Sequence, residues 1–322
     1  MPILQVKNLR TYYKIQRGYV KAVDGVSFDI EKGQAFGLAG ESGCGKTTIA
    51  ISLLRVLPPN GKIVGGQILY KGSDVASMDE YSLRENVRWK GISLVFQGAM
   101  NALNPVYNVG SQIVEAIQLH EPDVEAREAQ ERAMKLFQLV GIDPSRTDHY
   151  PHEFSGGMRQ RAMIAMAVAC NPDVLIADEP STALDVIVQA QVLQLLRQLK
   201  QRLNLSLLVI SHDLSIIAET CEKAAIMYGG ELAEYGDING IFKNPLHPYT
   251  QGLLGAFPGL KAPKARLVSI PGSPPNLLEA QIGCKFTERC KFAMPICQKT
   301  DPQLLEVKKN HFVACHLQNE KT

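Results

Sequence analysis

Short apolar runs alternate with longer segments whose apolar residues recur at helical spacing, and this order predicts an α/β fold. Buried strands are expected at residues 34–39, 67–70, 91–96, 174–178 and 205–210. Helices are expected at residues 48–57, 109–120, 125–139, 155–170 and 186–203. Two further segments, residues 3–9 and 26–30, are expected to pair as antiparallel strands.

The chain divides into three predicted parts. Residues 1–98 and 160–256 carry the strands and are expected to form an α/β core that includes an antiparallel β subdomain. Residues 99–159 are expected to form a helical subdomain inserted into that core, because their apolar residues recur at helical spacing. Residues 257–322 (the tail) are punctuated by Pro and Gly, so an irregular, cysteine-rich segment with little helix is expected there.

A glycine-rich loop lies between the strand at 34–39 and the helix that follows it. It reads Gly40-Glu41-Ser42-Gly43-Cys44-Gly45-Lys46-Thr47 and matches the phosphate-binding Walker A pattern. Glycines let successive backbone N–H groups point at phosphate oxygens, and the helix N-terminus adds partial positive charge. The residues expected to bind the nucleotide are Ser42, Gly43, Cys44, Gly45, Lys46, Thr47 and Thr48. Lys46 should reach the β- and γ-phosphates, and Thr47 should also bind Mg²⁺.

Three other predicted strands are followed by side chains that suit nucleotide hydrolysis. Asp178 and Glu179 end an apolar strand in the Walker B arrangement, where Asp178 is expected to hold Mg²⁺ and Glu179 to act as general base. Gln97 is expected to bind Mg²⁺ and orient water, and His212 to contact the γ-phosphate. Taken alone, Gln97 also fits an ordinary surface amide, and His212 a structural histidine.

Ser155-Gly156-Gly157 is a second candidate anion site. Ser155 can cap the helix that follows, and the two glycines leave backbone N–H groups unobstructed. One compact chain cannot easily direct this segment and the glycine-rich loop at the same phosphate. A plain Ser/Gly helix start is the alternative interpretation.

Aromatic residues near the predicted antiparallel strands are candidates for stacking on a nucleotide base. Tyr13 is the first choice and Tyr12 the second, because aromatic faces stack on any base. Ordinary packing between the strands is the alternative.

Composition and charge narrow the class of protein. The chain has 322 residues, is 45% hydrophobic and 20% charged, and carries a net charge of +2. This balance is ordinary for a globular protein and does not call for a nucleic-acid partner. No apolar run approaches the length of a membrane span, and the N-terminus lacks a basic segment followed by an apolar core. A cytoplasmic location is the resulting expectation.

Four of the seven cysteines lie in the tail. Cys284, Cys290, Cys297 and Cys315 are spaced C-x5-C-x6-C-x17-C, which suggests a metal centre in a reducing compartment. Four thiolates suit Zn²⁺ or an iron–sulfur cluster. The spacing lacks the short knuckles of most zinc sites and therefore favours a larger cluster, although zinc and no metal stay open.

The motifs together resemble those of ATP-binding-cassette (ABC) ATPases over residues 1 to about 245. They are the Walker A loop, Gln97, Ser155-Gly156-Gly157, Asp178-Glu179, Leu184-Asp185 and His212, in the family's order. The resemblance implies a P-loop ATPase core and a head-to-tail dimer with a second, homologous ATPase subunit. It also implies that Ser155 and Gly157 contact the ATP of the partner subunit, and that Tyr13 stacks on adenine.

Further segments resemble the dipeptide and oligopeptide importers within that family. They are Phe154-Ser155-Gly156-Gly157-Met158, Asn104-Pro105, Gln189-Ala190-Gln191 and His247-Pro248-Tyr249-Thr250. The resemblance implies transmembrane permease subunits, a separate peptide-binding protein, a position on the inner face of the cell membrane, and a [4Fe–4S] cluster on the tail cysteines. A nickel importer is the transport alternative. A soluble ABC ATPase acting on nucleic acid or the ribosome is disfavoured by the single cassette and the modest charge.

Overall fold

The computed structural model describes residues 2–98, 102–182, 184–256, 270–278 and 281–319. Its strands are β1 (Pro2–Ile15), β2 (Gly18–Glu31), β3 (Ala35–Ala39), β4 (Gly61–Tyr70), β5 (Ser73–Asp74), β6 (Ile92–Val95), β7 (Val174–Asp178), β8 (Ser206–Ser211), β9 (Lys223–Tyr228), β10 (Glu231–Asp237), β11 (Leu305–Lys308) and β12 (His311–Val313). Its helices are α1 (Lys46–Leu53), α2 (Glu80–Asn86), α3 (Val109–His120), α4 (Ala126–Leu139), α5 (Gly156–Ala167), α6 (Val186–Leu203), α7 (Leu214–Thr220), α8 (Ile238–Lys243), α9 (Pro248–Gly255) and α10 (His316–Asn319). The predicted α/β class is confirmed.

The Cα positions divide into two compact units. The first unit comprises Met1–Leu4, Ile30–Gln34 and Tyr70–Val209, and the second comprises Gln5–Asp29, Ala35–Leu69 and Ile210–Thr322. The predicted boundaries at residues 99 and 257 fall outside the described residues. The three-part division made from the sequence therefore stays a prediction.

In the first unit, two short strands bring the predicted catalytic positions to one sheet edge. β6 and β7 run parallel, with Ile92 opposite Val174 and Val95 opposite Ala177. Residues that follow parallel strands leave the sheet at the same edge. The segments that carry Gln97 and Glu179 therefore emerge side by side.

The helical segment of the first unit follows the predicted pattern closely. α3 matches its predicted bounds, and α4 begins one position later because Glu125 occupies its N-cap position. Asn108 caps α3 by accepting a hydrogen bond from the Ser111 N–H at 2.7 Å. The predicted apolar faces are buried, as expected for helices that pack against one another. Among the helices of the described ranges, none offers the continuous apolar length that a bilayer crossing requires.

The strand pair at the N-terminus is longer than the sequence predicts. β1 continues to Ile15 and β2 begins at Gly18, so the two strands are joined by a two-residue turn. Tyr12 and Tyr13 consequently lie within β1, and not in a connection. The polar residues of this stretch do not interrupt the strands, because half of the side chains on a strand can face away from the core.

The tail is more regular than predicted. In the second unit the strand order is β11-β12-β10-β9-β3, so two tail strands continue the sheet that contains the strand before the glycine-rich loop. β12 pairs antiparallel with β10, with His311 opposite Gly236. The expectation of an irregular tail was wrong over Leu305–Val313. Both strands are too short for periodicity to reveal them, and they form through pairing with strands of the sheet.

The buried carboxylate of Glu234 connects β10 with β12 and with the residues before α9 in the second unit. Glu234 on β10 is fully buried, and its side chain hydrogen-bonds His311 Nε2 at 2.6 Å. It also accepts hydrogen bonds from the backbone N–H groups of Leu246 and His247 at 2.8 and 3.0 Å. Burial lowers the pKa of His247 to about 4, so its imidazole is neutral near pH 7 and Nδ1 accepts the Tyr249 N–H at 3.0 Å.

Replacing Glu234 by Ala should lower the free energy of unfolding by about 3–5 kcal/mol, because it leaves three buried or partly buried donors without their acceptor. Chemical denaturation measures the change. The matched control is Glu306→Ala, which removes an exposed acceptor of the Asn310 N–H and should cost no more than about 1 kcal/mol. Equal effects of the two substitutions would contradict the role given to Glu234.

Candidate functional site

The glycine-rich loop occupies the predicted place between β3 and α1 in the second unit. Gly45 takes the N-cap position of α1 with a φ of 108°, a left-handed conformation. Ser42, Gly43 and Thr47 are exposed, whereas Thr48 is buried at the start of the helix. The loop therefore presents exposed backbone ahead of a helix N-terminus, which suits a phosphate group.

Lys46 is held inside the loop. Its side chain is almost fully buried, and Nζ donates hydrogen bonds to the carbonyl oxygens of Gly40 and Glu41 at 2.8 and 2.9 Å. Both acceptors are uncharged, so a phosphate oxygen would be a stronger acceptor for the ammonium group. Burial raises the pKa of Cys44, against the opposing effect of Lys46, so its thiol stays neutral beside the ammonium.

Tyr13 and Tyr12 have different partners in the structure. The Tyr13 hydroxyl shares a hydrogen bond of 3.2 Å with Thr48 Oγ1, in the helix that follows the loop. The Tyr12 hydroxyl donates to Asp24 at 2.7 Å, and burial together with this hydrogen bond raises the pKa of Tyr12 to about 12. The contact with α1 supports Tyr13 as the first choice for adenine stacking, which stays a prediction.

The Walker B residues lie in the first unit. Asp178 is the last residue of β7 and is almost fully buried. Glu179 follows with a φ of 46°, which is unfavourable for a non-glycine residue and is tolerated mainly where the surroundings enforce it. Its carboxylate accepts hydrogen bonds from Gln97 Nε2 at 2.8 Å and from Thr182 Oγ1 at 3.0 Å. The structure therefore brings Gln97 and Glu179 together, and it adds Thr182, which the sequence analysis missed.

Ser155 and Gly157 both have structural roles within the first unit. Ser155 caps α5 as predicted, with Oγ accepting the Met158 N–H at 3.3 Å. A Cβ on Gly157 would lie 2.6 Å from Val188 Cγ1, so glycine here permits close packing against α6. The proposed contact of these residues with a partner's ATP is a separate matter and stays a prediction.

His212 directly follows β8 in the second unit, as expected from the sequence, and its side chain is exposed. The next residue, Asp213, caps α7 by accepting the Ser215 N–H at 2.8 Å. The helix therefore fixes the backbone directly after His212. Its contact with a γ-phosphate stays a prediction.

The four tail cysteines are the predicted ligands of a metal site. Cys284 donates its N–H to the Cys297 carbonyl oxygen at 2.7 Å, which brings two of the four backbones together. Among the described residues, however, no three His, Cys, Asp or Glu side chains are grouped to hold a metal ion. Burial raises the pKa of Cys284 and Cys290, and that of Cys315 to about 11, so these thiols are neutral as packed. The geometry gives no support to a [4Fe–4S] cluster or to its zinc alternative.

Two family models match the chain. The model described as "ABC transporter" matches residues 23–182, which include the glycine-rich loop and the Walker B acids. The model described as "Oligopeptide/dipeptide transporter, C-terminal region" matches residues 233–297. The second match covers most of β10, all of α9 and three of the tail cysteines.

Curated relatives match along almost the full length. A "Probable peptide ABC transporter ATP-binding protein" of Sinorhizobium fredii is 45% identical, with 99% of this chain and 96% of the relative aligned. The chain belongs to the ABC transporter ATP-binding family. Proteins called "Dipeptide transport ATP-binding protein DppD" from Caldanaerobacter subterraneus and Bacillus subtilis are 42% and 43% identical to it, over 99% of this chain and 98% and 96% of theirs.

Solved ABC cassettes share the fold. The ATP-binding cassette MJ0796, in a dimeric post-hydrolysis state bound to ADP and Pi, superposes with a TM-score of 0.65 at 25% identity. The alignment covers 73% of this chain and 98% of MJ0796. An ABC transporter protein from Clostridium perfringens, cbiO1, gives a TM-score of 0.64 at 25% identity, over 76% of this chain and 91% of its own. The ABC cassette fold expected from the motifs is confirmed.

Substituting Ala for Gly43 or for Gly45 in the loop should reduce stability and nucleotide binding to different extents. A Cβ at Gly45 would lie 2.1 Å from the Ala22 carbonyl oxygen, whereas a Cβ at Gly43 meets nothing within 4 Å. Both residues have positive φ, so Gly43→Ala should cost only the strain of about 1–2 kcal/mol for a left-handed alanine. Gly45→Ala should cost more and should abolish measurable nucleotide binding. Chemical denaturation and titration with MgADP test the pair, and indistinguishable variants would contradict this account of the loop.

Proposed function

We propose that this chain is the ATP-hydrolysing subunit of an importer of dipeptides or oligopeptides. The observation that carries the proposal is the near full-length similarity to proteins named for peptide and dipeptide transport. The match of residues 233–297 to the C-terminal region of oligopeptide and dipeptide transporters also supports it. Because the peptide is not expected to contact this subunit, the choice between dipeptides and longer peptides is left to experiment.

The proposed chemistry assigns Glu179 as the general base. Its carboxylate accepts hydrogen bonds from Gln97 and Thr182, which would orient it to take a proton from an attacking water. His212 would contact the γ-phosphate. Mg²⁺ held by Thr47, Gln97 and Asp178 would offset the charge on the β- and γ-phosphates.

Nucleotide binding would use the loop and its neighbours. Backbone N–H groups from Ser42 to Thr48 would hold the phosphates, with Lys46 moving its hydrogen bonds from loop carbonyls to phosphate oxygens. Tyr13 would stack on adenine. The exposure of Ser42, Gly43 and Thr47 supports an approach of phosphate from the solvent side of the loop.

Assembly would involve a second ABC ATPase subunit. Ser155 and Gly157 would contact the ATP bound by that subunit, and the dimer of MJ0796 is a precedent in a protein of the same fold. The pair would act on transmembrane permease subunits that receive peptide from a separate binding protein. The chain would then lie in the cytoplasm, on the inner face of the cell membrane. Residues 1–98 and 160–256 would be the ATPase core, 99–159 the helical subdomain and 257–322 the tail.

An uptake assay separates peptide from nickel cargo. Cells that lack the chain should lose uptake of a labelled dipeptide and keep uptake of labelled nickel, and the wild-type chain should restore the loss. Arg127→Gln, an exposed substitution on α4, should also restore it. Loss of nickel uptake with intact peptide uptake would overturn the proposed cargo. Co-purification of ribosomes instead of permease subunits would overturn transport itself.

Glu179→Gln should leave nucleotide affinity in place and slow ATP hydrolysis at least about 100-fold, because an amide cannot act as a base. Steady-state phosphate release and MgATP titration measure the two effects. Glu131→Gln makes the same chemical change at an exposed side chain of α4 and should leave nucleotide affinity and hydrolysis rate unchanged. Near-normal turnover by Glu179→Gln would remove Glu179 from the proposed role.

The predicted [4Fe–4S] cluster is testable by direct analysis. Protein purified without oxygen should be brown and contain about four irons per chain, with Cys284, Cys290, Cys297 and Cys315 as ligands. Any single Cys→Ser change at these positions should remove the colour while ATP binding persists. Stoichiometric zinc without iron would favour the zinc alternative, and the absence of both metals would contradict a metal site in the tail.

A further inference from the structure

Residues 284–290 of the tail, here called the supporting segment, contact the glycine-rich loop within the second unit. Neither the motifs nor the comparisons assign this segment a part in nucleotide binding. Its side chains reach the loop or its immediate neighbours from three positions: Lys285, Phe286 and Arg289.

Arg289 binds the loop directly. Its guanidinium donates two hydrogen bonds to the Glu41 carboxylate, at 2.6 and 2.9 Å, in a bidentate pair. The same guanidinium donates to the Pro271 carbonyl oxygen at 2.8 Å and to the Tyr228 hydroxyl at 3.2 Å. The Arg289 side chain is only 5% exposed, so the ion pair is shielded from solvent on one side. Such a pair fixes geometry more firmly than a single surface salt bridge.

Phe286 packs against Tyr249, which in turn hydrogen-bonds the backbone of Glu41. Its ring contacts those of Tyr228 and Tyr249, with centroid distances of 5.1 and 5.4 Å. The Tyr249 hydroxyl accepts the Glu41 N–H at 3.0 Å. Glu41 is therefore held at its backbone by Tyr249 and at its carboxylate by Arg289.

Lys285 supports the other end of the loop. Its Nζ donates to the Gly229 carbonyl oxygen at 2.9 Å and pairs with Glu231 at 2.7 Å. The neighbouring Gly230 N–H donates to the Cys44 carbonyl oxygen at 3.1 Å. The supporting segment thus restrains the loop at Glu41 and, through the Gly229-Gly230 turn, at Cys44.

We propose that Arg289 is a positioning residue of the nucleotide site, which sets the affinity for nucleoside di- and triphosphates by holding Glu41. Glu41 lies inside the phosphate loop, and its carbonyl oxygen is an acceptor of the Lys46 ammonium. Releasing Glu41 would change the backbone that presents both the loop N–H groups and Lys46. It would also leave an unpaired carboxylate in the loop, which repels phosphate. The proposal rests on the proposed ATP-binding function of the loop.

Three variants of the full chain test the proposal by calorimetric titration with MgADP. Arg289→Gln should weaken affinity roughly 2- to 30-fold, the range expected for a network that acts on a site without touching the ligand. Arg289→Lys should lose less than Arg289→Gln, since lysine keeps the charge but lacks the planar fork. The double variant Glu41→Gln/Arg289→Gln should recover part of the loss, because no carboxylate is left unpaired.

Steady-state kinetics separate positioning from a general effect on folding. Arg289→Gln should raise KM for ATP by about the same factor as it weakens MgADP binding and leave kcat within about twofold, because the loop binds ground and transition states alike. A purely structural role would lower kcat through loss of folded protein and leave KM unchanged. The matched control is Arg132→Gln, which breaks a bidentate pair with Glu121 on the helical segment and should change neither parameter.

Two results would overturn the proposal. One is wild-type affinity in folded Arg289→Gln, and the other is a double variant no better than Arg289→Gln. If Arg289→Gln shows no cooperative unfolding transition, wild-type affinity in Arg289→Lys overturns the proposal, and weakened affinity with raised KM supports it. A wild-type chain that fails to bind MgADP would overturn the proposed function of the loop itself.

Discussion

One buried carboxylate, that of Glu234, organises the second unit. Moving an ionised carboxylate out of water is unfavourable unless hydrogen bonds replace its hydration, and here two backbone N–H groups and the His311 imidazole do so. Because these donors come from β12 and from the residues before α9, one side chain of β10 fixes both elements. α9 then places the Tyr249 hydroxyl on the phosphate loop. The geometry of an exposed loop therefore depends on a buried contact between strands of the sheet.

Local patterns were enough to predict the elements that surround the glycine-rich loop and those of the helical segment. The bounds of α3 and α6 follow from the helical spacing of their apolar residues. The position of the glycine-rich loop follows from its motif, whose glycines allow the backbone conformation that a phosphate-binding loop needs. The tail strands β11 and β12 could not be predicted from such local patterns. Leu305–Lys308 is exposed along most of its length, and β12 is only three residues long. Neither segment carries a periodic signal. β12 is a strand because β10 offers an edge to pair with, and β11 pairs in turn with β12.

The residues of the candidate site also divide into those that the sequence predicted and those that it did not. Gln97 and Glu179 were predicted from their places after buried strands, and parallel pairing of β6 with β7 brings them within hydrogen-bonding distance. Thr182 and Arg289 were missed because no motif marks them. The predicted cluster on the tail cysteines has no such support, because spacing fixes the order of ligands along a chain and not the positions of their side chains.

The separation of 248 residues between Glu41 and Arg289 has a consequence for biosynthesis. A ribosome that has completed the segment matched by the ABC model, residues 23–182, has produced the phosphate loop but neither Tyr249 nor Arg289. The loop therefore lacks its contacts with Tyr249 and Arg289 until most of the chain has been synthesised. Closing a connection of this length is among the slower events of folding. A nascent chain, or one truncated before Tyr249, thus contains the complete glycine-rich motif but lacks the contacts that hold the loop in its folded geometry.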